Sequence, residues 1–97
     1  MPQFLVIAER NLRDFPESAF APLLEPEAEA VRRGYAAGIV RRAWGRKDKP
    51  GAIVLIEVES PAAAEAYVAS LPLRQAGMLD AQIVELSPYR GFGPRAS

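Results

Sequence analysis

Apolar residues fall into short runs along this chain, not into one long periodic stretch. Residues 4–9 (FLVIAE) and 52–59 (AIVLIEVE) are compact and rich in β-formers, which predicts strands. Residues 39–46 (IVRRAWGR) and 81–86 (AQIVEL) predict two more. Two helical patterns lie between them. The first, EPEAEAVRRGYAA, has Pro26 suited to the first helical position and Glu27 and Glu29 at its positive end. Gly38 is its expected C-terminal cap. The second is the alanine-rich AAAEAYVASL, introduced by Ser60 as N-cap and Pro61 as first helical residue, and ending near Pro72. Pro22 and Pro26 should interrupt any longer first helix, although a short helical turn fits residues 17–20. KDKPG, residues 47–51, reads as a hairpin loop, and residues 73–80 as a connection.

The element order is therefore β-α-β-β-α-β. With right-handed crossovers it gives an α+β, ferredoxin-like sandwich. The expected sheet is antiparallel and four-stranded, in the order 4-1-3-2, with both helices on one face. One domain, residues 1–88, accounts for this pattern. Residues 89–97, rich in Pro and Gly, read as an extended C-terminal arm with Tyr89 and Phe92 as aromatic anchors. Such an arm would cross to a partner or cap a cleft.

A sheet covered by helices on one face should alternate between apolar and polar positions. These strands do not alternate cleanly. Ala52, Val54, Ile56 and Val58 make one face of the third strand, yet Ile53 and Leu55 stand with Glu57 on the other. In the first strand, Leu5 and Ile7 stand with Glu9 opposite Phe4, Val6 and Ala8. Two apolar faces require two covers, and the helices supply one. A second copy packing sheet to sheet would give a dimeric α+β barrel. The chain's own C-terminal tail is the other candidate cover.

Composition narrows the chemistry. Twelve basic and twelve acidic residues cancel, which gives no electrostatic reason to expect nucleic acid. No apolar run approaches the roughly 18 residues of a membrane helix. The opening MPQFLVIAER lacks a basic start and reads as a strand, so a cytoplasmic protein is expected. The chain has no cysteine and no histidine. Thiolate chemistry and Cys-based zinc sites are excluded, and the commonest metal ligand and general base is missing. No metal and no cofactor is expected. Gly91-Phe92-Gly93 is not a phosphate loop, because it lacks the flanking strand and helix, the Lys and the remaining glycines.

Acid–base work then falls to carboxylates, tyrosines and arginines. Glu57 and Glu9 end the second faces of their strands, in the space a partner would cover. Either Arg41 with Ala43, or Arg42 with Val40 and Trp44, joins them from the second strand. A carboxylate in an apolar cleft titrates high and suits a general base, and an arginine beside it can hold a substrate carboxylate or an enolate oxygen. The plain alternative is an interface ion pair. Trp44, Tyr35 and Phe92 are the candidate walls of a substrate cleft, Tyr35 because it precedes the second strand. Tyr67 reads as a packing residue, and Arg46 to Lys49 as a solvated hairpin tip.

Several features resemble the muconolactone isomerase-like branch of the dimeric α+β barrel proteins. They are the Asn11-Leu12 turn, the Arg- and Trp-bearing second strand, and Glu57-Val58-Glu59-Ser60 leading into the second helix. Leu71-Pro72-Leu73, followed by Ile83-Val84-Glu85-Leu86-Ser87-Pro88, is the most distinctive. The resemblance implies a cofactor-free enzyme that moves a proton within a small lactone, in homodimers able to stack into rings. It also implies an acidic residue in the first helix, matched by Glu27 or Glu29. True muconolactone isomerases carry histidines and a longer, unbroken first helix, and this chain departs from both. Three functions follow as expectations: a lactone or ring-carbonyl isomerase, a cofactor-free monooxygenase on aromatic polyketide-like compounds, or a non-catalytic small-molecule-binding or structural dimer.

Overall fold

The structure is a computed structural model that describes residues 1–93; positions 94–97 of the expected arm lie outside the described residues. Strands β1 (Gln3–Arg10), β2 (Val40–Gly45), β3 (Gly51–Glu57) and β4 (Leu79–Leu86) form one antiparallel sheet in the order β2-β3-β1-β4. Helices α1 (Ala21–Ala36), α2 (Pro61–Ala69) and the single turn α3 (Pro72–Gln75) complete the domain, with 3-10 turns at Glu17–Phe20 and Arg90–Phe92. This is the ferredoxin-like α+β architecture that the element order implies.

The even residues of β1 face the helices. Phe4, Val6 and Ala8 are buried there, opposite Ile56, Val54 and Ala52 of β3. The odd residues Leu5 and Ile7 lie opposite Leu55 and Ile53 on the outer face, where all four are only half buried. One core cluster gathers Phe4, Ile56, Val40, Ala64 and Val68 under α2, and a second gathers Phe20, Leu71, Leu73, Met78 and Leu79 under the start of α1.

Helix α2 begins as its sequence demands: Ser60 Oγ accepts a hydrogen bond from the Ala63 amide at 3.1 Å, with Pro61 as first helical residue. Helix α1 differs from expectation. It starts at Ala21, with Pro22 in its first turn and Pro26 inside it. Proline at the first turn costs no bond, because those amides have no intrahelical partner. Pro26 forfeits one bond early in the helix, and the packing of the inner face carries the segment through. Both α1 and α3 end in left-handed glycines, Gly38 (φ +81°) and Gly77 (φ +73°). The Ile39 and Met78 amides then reach back to Gly34 and Leu73 carbonyls at 2.9 Å, closing Schellman caps. The expected connection 73–80 therefore holds α3, its cap and the start of β4.

Candidate functional site

Side-chain size is graded along the helix-facing side of the sheet. Large residues (Phe4, Ile56, Val40) fill one end, and small ones (Ala8, Ala43, Gly45, Ala52) occupy the other. Helix α1 spans both ends, so space remains beneath its first half. The result is a cavity of about 470 Å³ between α1, the β1–β3–β2 sheet and the Leu71–Leu73 turn. That volume lies within the range of small-molecule sites.

Two charged residues interrupt the apolar rows that face this cavity. On α1 the inward stripe runs Leu23, Glu27, Val31, Gly34, and Glu27 takes an apolar position. Its Oε1 accepts a hydrogen bond from the Leu73 amide at 2.9 Å, at the free N-terminal turn of α3, and Oε2 has no partner among the described residues. Burial pushes the Glu27 carboxyl above its ordinary value, opposed in part by the Leu73 amide. On β1 the row Phe4, Val6, Ala8 continues to Arg10, which is half buried at the cavity wall. The Arg10 guanidinium lies over the Phe20 ring, 5.7 Å from its centroid, and no carboxylate of the described residues is within 4.0 Å. Arg32 also lines the cavity but is bound to Glu25 and Glu29.

Behind α1 the Tyr67 hydroxyl is buried without a hydrogen-bond partner among the described residues. Burial, and secondarily the charge of Glu27, raises its pKa. Gly34 makes room for it: a Cβ there would stand 2.7 Å from Tyr67 Oη and 2.9 Å from Val40 Cγ2.

Of the residues singled out from the sequence, Glu27, one of the two acidic positions that the family resemblance offers in the first helix, and Trp44 line this cavity, and the others lie elsewhere. Glu57 and Glu9 stand on the outer face at opposite ends of the β1–β3 pair, about 20 Å apart by strand rise. Glu57 accepts from Gln3 Nε2 at 3.2 Å and lies 4.0 Å from Arg41 Nη1, while Glu9 lies 3.7 Å from Lys49 Nζ. A bulge decides between the arginines. Arg41 is an extra residue between Val40, opposite Ile56, and Arg42, opposite Leu55. Arg42 therefore joins the outer face and stacks on Trp44 at 5.3 Å, and Arg41 reaches Glu57 as well. Trp44, 44% exposed, also touches the cavity rim. Tyr35 (67% exposed) borders a shallow hollow with Val40 and Arg41, and Phe92 (90% exposed) packs on Tyr89, 5.1 Å between ring centroids. Among the described residues no group of three or more potential metal-ligating side chains converges, and no helix is long and apolar enough to cross a membrane.

The class that fold and cavity define is a ferredoxin-like α+β domain with a small-molecule-sized space between helix and sheet. One solved structure gives that class a concrete neighbour: 5-chloro-2-hydroxyhydroquinone dehydrochlorinase (TftG) from Burkholderia phenoliruptrix AC1100, in complex with 2,5-dihydroxybenzoquinone. It matches with a TM-score of 0.71 at 15% identity, over 92% of this chain and 97% of that chain. At that identity the likeness shows a shared fold. No family model and no curated protein sequence matches the chain.

Proposed function

We propose that this protein is a cofactor-free acid–base enzyme acting on a small lactone, ring carbonyl or quinone-like compound, with Glu27 as proton carrier in the cavity beneath α1. The carrying observation is the half-buried carboxylate, held by one oxygen and unpartnered at the other among the described residues, inside a largely apolar cavity of small-ring size. Burial raises the basicity of the carboxylate, and the Leu73 amide fixes its direction. Glu27 takes a proton from carbon beside a carbonyl and leaves an enolate. Returning that proton to a different ring carbon is isomerisation. Expelling a leaving group such as chloride from the enolate is elimination. The same first step thus serves the isomerase implied by the family resemblance and the dehydrochlorination named for the neighbouring structure. The protein works as a cytoplasmic homodimer, with the apolar outer face of the sheet covered by a second copy.

Two other readings have support of their own. Glu27 caps the first turn of α3, which is all that a non-catalytic binding protein needs of it. The Glu57–Arg41 pair on the outer face keeps a second candidate site, one that a partner would have to wall in. The cofactor-free oxygenase gains nothing from a cavity with charged walls.

Deuterium exchange into γ-lactone and hydroxyquinone substrates, followed by NMR in deuterated buffer, reads the first proton transfer whatever the product. Glu27→Gln should lower that exchange rate by about 100-fold or more, and Glu57→Gln should leave it within about twofold. Loss in E57Q with retention in E27Q would move the site to the outer face. No exchange by the wild-type protein would favour the binding reading.

A further inference from the structure

Arg10 and Glu27 carry opposite charges, line the same cavity, and do not close on each other. A half-buried cation without a counter-ion is costly, and the usual remedy is a salt bridge. The nearby carboxylates do not provide one. Glu9 is on the opposite face beside Lys49, Glu27 is held by the Leu73 amide, and Glu25 and Glu29 hold Arg32. The Phe20 ring supports the Arg10 guanidinium without neutralising it.

The backbone gives Arg10 little freedom to leave. Its amide donates to the Pro50 carbonyl at 3.0 Å. The next residue, Asn11, is buried: its amide donates to Met78, its Nδ2 donates to Asp14 and to the Gly77 carbonyl, and its Oδ1 accepts from the Asp14 amide. The fork of Arg10, carried on an anchored backbone and unpaired among the described residues, is thus a donor set at one wall, with a base at another.

We propose that Arg10 is an anion subsite that selects substrates carrying an oxyanion, either an ionised ring hydroxyl or a carboxylate. This rests on the reading of the cavity as the substrate site. Bound there, the oxyanion supplies the missing counter-ion and turns the ring so that a C–H meets Glu27 Oε2. Proton removal adds enolate charge near a cation already in place, so the same residue favours the transition state. A neutral ring of equal size would enter without that anchor.

Isothermal titration calorimetry on the full chain tests it with three probes: 2,5-dihydroxybenzoquinone, ionised at neutral pH; its neutral 2,5-dimethoxy ether; and a ring carboxylate, benzoate. The wild type should bind at least one of the two anions about tenfold or more tighter than the ether, and the stronger of the two tells ring hydroxyl from carboxylate. Arg10→Met should reduce that preference to about twofold or less while binding the ether unchanged, and Arg10→Lys should keep part of it. Circular dichroism melts establish that each variant is folded. An intact preference in R10M overturns the subsite. Ether binding without anion preference in the wild type overturns it too and leaves the cavity reading standing. No binding of any probe removes both.

Discussion

Glu27 sits where an apolar residue would hold α1 to the sheet, so its ionisation works against folding. Its pKa is raised in the folded chain, chiefly by burial. The folded state therefore holds this proton more tightly than the unfolded state. The sign follows: Glu27 destabilises as pH rises from its ordinary value of 4.5 through the raised one, and the loss is constant above that. Glu27→Gln keeps an oxygen for the Leu73 amide and removes the charge. The variant should melt about 2–4 °C higher than wild type at pH 8, a gain of about 0.5 kcal/mol after allowing for solvent screening, and no higher at pH 4. Melts of both proteins across that range check it; a difference independent of pH would show that the charge is not the cause. Both charged residues of the site were legible as interruptions. Arg10 extends the row Phe4, Val6, Ala8, and Glu27 extends the stripe from Leu23. Arg10 escapes a reading of the sequence because the first strand is drawn to stop at Glu9, and Glu27 enters it only through the family resemblance, because a first helix drawn to start near Pro26 detaches it from the stripe that begins at Leu23.

At the scale of elements, α1 approaches the sheet through one missing side chain. Gly34→Ala gains helix propensity of about 1 kcal/mol, but its methyl would meet Tyr67 Oη at 2.7 Å and Val40 Cγ2 at 2.9 Å. Overpacking of that kind costs about 1–3 kcal/mol, so the variant should be less stable. Tyr67→Phe removes a buried hydroxyl that has no partner and should range from neutral to about 1 kcal/mol more stable. The double variant should recover part of the Gly34→Ala loss, the Val40 contact remaining. Urea unfolding of the four proteins gives the coupling; simple additivity would mean that α1 shifts away instead. Local chemistry made most elements legible: Ser60-Pro61 opens α2, and Gly38 follows α1 in a Schellman cap, as their residue types require. Pro26 misplaced the start of α1, since a local rule against proline yields to inner-face packing across the first two turns. The bulge at Arg41 was not legible, because one added residue in a polar stretch leaves no mark on the pattern.

For the molecule as a whole, the strand order followed from element order and crossover handedness alone. The location of the void did not. Alternation shows that both faces of β1 and β3 are apolar, and only three-dimensional packing shows which face is filled. Small residues at Ala8, Ala43 and Ala52 are the trace of that void in the sequence, spread over three strands. The outer face, with Leu5, Ile7, Ile53 and Leu55 half exposed, remains the expected contact of a homodimer. Leu55→Glu puts a charge at its centre and should shift the dimer–monomer midpoint at least about tenfold higher in concentration, measured by light scattering after gel filtration. A wild-type protein that elutes as a monomer at every concentration would refute the dimer.

The walls of the cavity beneath α1 come from segments as far apart in the sequence as Val6 and Leu79. That has a consequence for dissection. No short fragment of the chain would carry the site, and cutting away either end of the sheet would remove a wall together with the fold.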